Sequence, residues 1–248
     1  MESNGQNGHG SNGHTATKNI SYIMDTKNWR GPLIFILIIS LLGVGMIGFQ
    51  TYIDAPPMSG FKDANGQLVI DQKTIERGQE VFHKKALMEY GSFFGDGAQR
   101  GPDFTAEALH RITVYMNDFY VAEIKSKSGR DVDAYEAKQI NEKVKSELKQ
   151  NAFNKTENIV MLSNAETFAL QQLKKYYADL FIDKNSGEGF PPKDYISSRE
   201  EVADLSAFFF WGAWVCVTER PGSSFSYTHN WPYDPLAGNT PTSPVILW

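Results

Sequence analysis

The chain opens with a polar stretch and continues into a long apolar run. Residues 1–17 consist mainly of Gly, Asn, Ser, His and Thr, a composition that predicts a disordered tail. Leu33 to Ile53 is almost wholly apolar and carries no charge. Because about 20 such residues suffice to cross a bilayer core, the pattern predicts a transmembrane helix over 31–54, preceded by a tail over 1–30.

Charges on either side of the apolar run predict its orientation. Lys18, Lys27 and Arg30 precede the run, whereas Asp54 follows it. Since cytoplasmic flanks carry the excess of Lys and Arg, we expect the tail in the cytoplasm and everything after residue 54 outside it. A cleaved signal peptide is the rival interpretation. It fits less well because the run is long and no A-x-A site closes it.

After the apolar run, the apolar positions recur with a helical period. The run over 205–217 is apolar nearly all round but too short for a membrane span, so it predicts a buried core helix. Residues 54–71 and 151–161 are interpreted as a linker and a connector. The fold class is therefore mainly α. Helices are predicted over 74–85 (with Ile75, Val81 and Phe82 buried), 105–125 (capped by Thr105), 132–150, 163–180 and 202–218.

A glycine-rich loop lies between the first two of these helices. Glycines let such a loop fold back on itself or lie close against a partner. The aromatic side chains of the loop are apolar, so we expect the loop to pack against the protein. The loop contains neither histidine nor cysteine. The loop spans Ala86 to Thr105, and its marked residues are Gly91, Gly95, Gly97, Gly101, Tyr90, Phe93 and Phe94.

Charge and cysteine content exclude several function classes. The net charge of −5 does not suggest a nucleic-acid partner. The one cysteine, Cys216, excludes an internal disulfide, a C-x-x-C motif and the C-x-x-C-H motif of a covalent c-type haem. The five histidines have neither HxxxH nor HExxH spacing, which argues against a metal site made by this chain alone.

The last stretch, 223–248, is rich in aromatic residues and proline and predicts little regular structure. Tyr227, Trp231 and Tyr233 favour a segment laid across the surface, because rings left in water would forgo their burial. Residues 244–248 are apolar. We interpret them as the approach to a second transmembrane helix.

Four runs carry a resemblance to a known family. The N-terminal part of quinol-dependent nitric oxide reductases is similar to GSFFGDGAQRGPDFTAEALH (91–110), ADLSAFFFWGAWVC (203–216), ERPG (219–222) and FSYTHNWPYDP (225–235). These enzymes reduce two nitric oxide molecules to nitrous oxide and water with electrons from a quinol. The resemblance implies a bacterial inner-membrane protein with one membrane helix and an all-α, cytochrome c-like periplasmic domain over 55–222 that lacks haem.

The resemblance also implies where haem ligands are missing. The run 78–82 is family-like, and Leu87-Met-Glu-Tyr-Gly91 stands where C-x-x-C-H would be expected. Phe190-Pro191 stands in place of a distal Met-Pro. We therefore expect a degenerate haem pocket at Leu87, Tyr90, Gly91 and Phe190, whose large side chains fill the space, and no cofactor in this chain.

The catalytic multi-helix part of the family does not occur in this sequence. That part carries b-type haems and a non-haem iron, so no catalytic residue is carried over, and the chain is either truncated or pairs with a separate catalytic chain. We expect 95–103 and 230–235 to contact that part, with Asp96 and Arg100 available for polar contacts; by analogy a calcium ion could lie nearby. The expected interface residues are Gly95, Asp96, Gly97, Arg100, Asp103, Asn230, Trp231 and Tyr233.

Two other functions stay open at this point to different degrees. One is a free-standing, membrane-tethered binding or sensor module with a degenerate cytochrome c fold. The other, a working electron-transfer cytochrome, is nearly excluded by the missing haem ligands.

Overall fold

The computed structural model describes residues 29–98, 100–183, 191–192 and 194–246. The chain divides into two compact units between Ala55 and Pro56. In the first unit, helix α1 (Arg30–Ile53) has 24 residues and none of them is buried. Its length of about 36 Å exceeds the ~30 Å of a bilayer core. Within the described ranges, α1 is the one helix long and apolar enough to cross a membrane.

Helices also make up most of the second unit, which confirms the mainly helical fold class. A 3-10 turn (Leu87–Glu89) follows α2, and a π turn (Asp179–Asp183) follows α5. The helices are α2 (Gln72–Lys84), α3 (Phe104–Ser128), α4 (Ala134–Lys149), α5 (Asn164–Ala178), α6 (Arg199–Val217) and α7 (Ser243–Ile246).

Side-chain caps fix where these helices begin. Ser163 and Glu166 form the reciprocal capping box of α5, as the sequence predicts. The predicted start of α3 is wrong, because Asp103 and not Thr105 is its N-cap. The Asp103 carboxylate accepts from the backbone N–H of Ala106 at 2.9 Å. Thr105 instead donates its hydroxyl to the same carboxylate from within the first turn.

Helix α6 forms the centre of the core. Every residue from Leu205 to Val217 is buried, which confirms the expected core helix. It packs against α2, α3 and α5. Phe209 stacks on Phe104, with ring centroids 4.9 Å apart and planes 6° apart. The crossing with α2 requires a glycine, because a Cβ atom on Gly78 would lie 2.2 Å from the carbonyl oxygen of Asp204.

A small sheet beside the helices was not expected from the sequence. Strand β1 (Gly60–Lys62) pairs antiparallel with β2 (Leu68–Ile70) and parallel with β6 (Ile159–Met161), and β5 (Phe153–Asn154) completes the order β2-β1-β6-β5. The prediction of an irregular linker over 54–71 and an irregular connector over 151–161 is therefore wrong, because both ranges contain strands. Strands of two or three residues are too short to show alternation, and their pairing is long-range.

Residues 223–246 belong to the second unit and consist mainly of turns. Side-chain to backbone bonds hold the segment together. Asp234 accepts from the N–H groups of Leu236 and Ala237 at 2.8 and 3.1 Å. Asn239 donates to the carbonyl of Pro232 at 2.7 Å. The segment is thus ordered by its own polar groups rather than by a regular element.

Candidate functional site

The glycine-rich loop forms a tight hairpin between α2 and α3. Strands β3 (Ser92–Phe93) and β4 (Asp96–Gly97) pair antiparallel through a turn at Phe94 and Gly95, both with positive φ. Gly97 has φ of 139°, and a Cβ atom there would lie 2.6 Å from the carbonyl oxygen of Gly91. This position therefore accepts only glycine without a shift of the backbone.

Asp103 joins this hairpin to the start of α3. One carboxylate oxygen accepts from the Ser92 hydroxyl and from the backbone N–H of Gly95, each at 2.7 Å. The other oxygen accepts from Ala106 and Thr105. Asp103 is one of the expected interface residues, but both of its oxygens are occupied within the domain.

An aromatic cleft of about 370 Å³ lies between α2, the hairpin and α6. Phe93 stacks on Phe208 with centroids 4.3 Å apart, and Phe208 lies nearly parallel to Trp211 at 5.9 Å. The wall of the cleft is therefore a row of nearly parallel rings. The cleft is lined by Gln79, Phe82, His83, Met88, Phe93, Phe94, Asp96, Phe208 and Trp211.

Three of the four residues expected in a degenerate haem pocket, Leu87, Tyr90 and Gly91, lie next to this hairpin. Leu87 is fully buried, and Gly91 is buried where a Cβ atom would lie 2.2 Å from the carbonyl oxygen of Pro102. Tyr90 is half-buried, with its ring 5.3 Å from that of Tyr195. Phe190 lies outside the described residues. Whether these side chains replace a haem therefore stays a prediction.

Sequence reasoning missed most residues that line the aromatic cleft. A signal existed, because Gln79 and His83 are four apart on α2 and Phe208 and Trp211 are three apart on α6, so each pair shares a helix face. The meeting of these two faces with Met88 could not be foreseen, since it depends on how the helices cross.

The two stretches expected to form an interface do meet. A Cβ atom on Gly95 would lie 3.0 Å from Nε1 of Trp231, so the hairpin touches the C-terminal segment. Trp231 and Tyr233 remain 39% and 60% exposed. We call the surface of Gly95, Trp231 and Tyr233 the outer face. Tyr233 also borders an open cleft of about 590 Å³ that Asp103 lines.

The other expected interface residues differ in whether their side chains form hydrogen bonds within the domain. Asn230 accepts from the Ser226 N–H at 2.9 Å and donates to the Thr240 carbonyl at 3.1 Å. Asp96 is exposed and lines the aromatic cleft. Arg100 is exposed on the loop that follows the hairpin. Arg100 can therefore reach beyond the domain, whereas Asn230 holds its own segment.

Charged groups beside the open cleft are mostly paired. Arg111 donates to one oxygen of Glu107 at 3.1 and 3.2 Å and lies over the ring of Tyr176. Tyr176 donates its hydroxyl to the same oxygen, and burial together with this bond raises the Tyr176 pKa above its ordinary value. His110 Nδ1 lies 3.1 Å from Asp234. These pairs indicate a stabilising network rather than a proton-transfer site.

Two ionisable groups elsewhere, the half-buried Glu166 and the buried Cys216, have shifted pKa values. Burial raises the pKa of the Glu166 carboxyl to about 7, although its bond from the Ser163 N–H acts in the opposite direction. Burial also raises the pKa of the Cys216 thiol well above its usual range, which keeps it protonated and unreactive.

The crossing of α2 and α6 at Gly78 and the hairpin that follows α2 define a helical domain, whose class follows from a family match. The family model of the NorB cytochrome c-like domain of nitric oxide reductase matches residues 59–233. Because the match covers more than half of the 248 residues, the chain belongs to this family. No curated protein matches the chain.

A cytochrome c fold implies a covalently bound haem, but the residues present do not fit one. Thioether attachment needs two cysteines, and the single cysteine of the chain, Cys216, is buried within α6. In the segment after α2, the apolar side chain of Leu87 is fully buried. Over the described ranges, no three His, Cys, Asp or Glu side chains are grouped so that they could hold a metal ion. We therefore assign no chemical step in this chain to a haem.

Proposed function

We propose that the chain is the membrane-anchored, haem-free part of a quinol-dependent nitric oxide reductase and that its role is structural. The observation that carries the proposal is a family domain of the cytochrome c class that lacks the residues for covalent haem attachment. Electrons from a membrane quinol need no haem relay in this domain. The packed rings of Phe82, Phe93 and Phe208 support a structural role.

The anchor in this proposal is α1. Its length, its apolar surface and the positive charges before it support an N-terminus in the cytoplasm and a second unit in the periplasm of the bacterial inner membrane. A membrane-bound electron donor suits a domain that is tethered in this way.

The proposed partner is the catalytic multi-helix part of the reductase, with its b-type haems and non-haem iron. The outer face is the proposed contact. Trp and Tyr are enriched at protein interfaces because one large ring buries much area at little entropic cost. Arg100 is exposed and follows Gly95 of the outer face by five positions. Its guanidinium could pair with carboxylates of the partner through strong charge-assisted hydrogen bonds.

The test is purification of the tagged chain from the membranes of the cells that make it, followed by native mass spectrometry and a nitric oxide consumption assay with a quinol. We expect a multi-helix companion that contains b-type haem. Trp231→Ala combined with Tyr233→Ala should reduce the recovered companion at least about tenfold, the effect of losing ~1.4 kcal/mol of binding free energy.

The matched control is Tyr135→Ala, because Tyr135 is 70% exposed on α4 and lies outside the outer face. It should leave the companion and its activity unchanged. A chain that purifies alone, or a double variant that keeps its companion and its turnover, would contradict the proposed function.

A further inference from the structure

We propose that the aromatic cleft binds the guanidinium group of an arginine side chain that a protein partner presents. The inference goes beyond the proposed function, because it assigns a class of ligand to a cleft within the second unit alone. The rings, the carboxylate beside them and the charges of the lining each carry one part of the argument.

The hairpin places a ring and a carboxylate side by side. Phe93 and Asp96 are paired across β3 and β4. Side chains that lie directly opposite each other in an antiparallel pair share one face. Phe93 stacks on Phe208 at 4.3 Å, and Phe208 lies nearly parallel to Trp211. The cleft therefore combines flat apolar walls with an exposed acidic group.

An arginine elsewhere in the chain shows what a ring beside a carboxylate holds. The Arg111 guanidinium lies 3.3 Å from the centre of the Tyr176 ring and donates twice to Glu107. A guanidinium is planar, so it stacks on an aromatic face while its N–H groups reach a carboxylate. In the aromatic cleft the rings and the carboxylate are present, and no described Lys or Arg side chain pairs with Asp96. The same chemistry is therefore available to a guanidinium from outside the domain.

Two further polar side chains add acceptors beside Asp96. Gln79 and His83 lie one turn apart on α2, and both line the cleft. Over the described ranges, neither side chain forms a hydrogen bond. The carbonyl oxygen of a glutamine and one nitrogen of a neutral imidazole accept hydrogen bonds, whereas a guanidinium has five N–H donors and no acceptor. The polar part of the cleft therefore complements a group that only donates.

The charges of the lining favour an arginine within a polypeptide over the free amino acid. Asp96 is the one carboxylate among the described lining residues, and none of them is Lys or Arg. The α-carboxylate of free arginine would find no cation there, whereas a polypeptide replaces this charge by a neutral amide. The volume of about 370 Å³ falls within the range of sites that enclose small groups.

The experiment uses the full chain in phosphatidylcholine nanodiscs and saturation-transfer NMR titrations. The probes are acetyl-arginine amide, the planar but neutral acetyl-citrulline amide, the charged but non-planar acetyl-lysine amide, and free arginine. We expect acetyl-arginine amide to bind at least about fivefold more tightly than the citrulline and lysine probes, and more tightly than free arginine.

Three results of these titrations would overturn the proposal. Saturation transfer no greater than with empty nanodiscs would remove the site. Equal binding of the citrulline or lysine probe would remove the guanidinium as its ligand. Equal or tighter binding of free arginine would remove the polypeptide source.

Variants then locate the site. Asp96→Asn removes the charge and keeps the shape, so it should weaken acetyl-arginine amide at least about fivefold. The matched control is Glu80→Gln, because Glu80 is an exposed carboxylate on α2 that does not line the cleft. It should leave the affinity within about twofold. Both side chains are exposed, so the midpoint of thermal unfolding should stay unchanged in both variants.

A salt titration of the unmodified chain gives a second measurement that needs no variant. Raising NaCl from about 0.05 M to about 0.5 M should weaken acetyl-arginine amide but not acetyl-citrulline amide. Unchanged affinity in D96N, an equal loss in E80Q, or an affinity that does not respond to salt would overturn the proposal. Because these assays need no companion chain, their failure is distinguishable from failure of the proposed function.

Discussion

Replacing Gly78 by alanine tests the crossing of α2 and α6 on which the cleft depends. The new Cβ atom would lie 2.2 Å from the carbonyl oxygen and 2.7 Å from the carbonyl carbon of Asp204. Both atoms are backbone, so relief requires the helices to move apart. Overpacking of a core costs about 1–3 kcal/mol, occasionally more, and the helix propensity gained from Gly to Ala returns about 1 kcal/mol.

We expect a net loss of about 2 kcal/mol, because a backbone clash this close lies at the upper end of that range. For a chain of this size the midpoint of thermal unfolding should fall by about 4–8 °C, measured by circular dichroism. Gly212→Ala is the comparison variant. Its Cβ atom would meet the tip of the Phe93 ring at 2.6 Å, and a side chain can shift more cheaply than a backbone. A G78A protein as stable as the unmodified chain would refute the close crossing.

Two further predictions concern charged groups. Glu166→Gln keeps the capping acceptor but removes the ionisation. Because the folded-state pKa of Glu166 is raised from 4.5 to about 7, its contribution to stability is present below pH ~4.5 and is lost as pH rises through about 7. The unfolding free energy of the unmodified chain should therefore fall by up to ~3 kcal/mol relative to E166Q over that window, measured by urea titration. Unfolding free energies that change in parallel with pH in the unmodified chain and in E166Q would contradict this prediction. Asp103→Ala removes the cap of α3 and the acceptor for Ser92 and Gly95, and should cost about 3 kcal/mol by the same assay. Asp103→Asn, which retains an acceptor for the cap, should cost less, and equal losses would argue against the capping role.

The proposed structural role follows from the family of the domain and from the haem ligands that it lacks. It belongs to a cytochrome c-like family, but its single cysteine does not allow attachment of a haem through two thioethers. The space beside the hairpin is partly filled with rings and partly open as the aromatic cleft. Under the proposed function, such a domain supports a partner and leaves electron transfer to that partner.

Several features could be predicted from local pattern. The apolar run of α1, the core helix α6 and the capping box of α5 each depend on residues within one element, and each occurs as predicted. The sequence prediction misplaces the start of α3 because Asp103 and Thr105, two positions apart, both suit an N-cap. Only the backbone conformation shows that Asp103 precedes the helix.

The sequence by itself determined the membrane-length helix, the helical class and the absence of a covalent haem site, because composition and short spacing suffice for these. The tertiary structure decided the rest. It brought His83, Asp96 and Trp211 to one cleft, paired β1 with β6 and placed Gly95 against Trp231. Periodicity shows that a face is buried, but its partner depends on long-range packing between elements that are far apart in the chain.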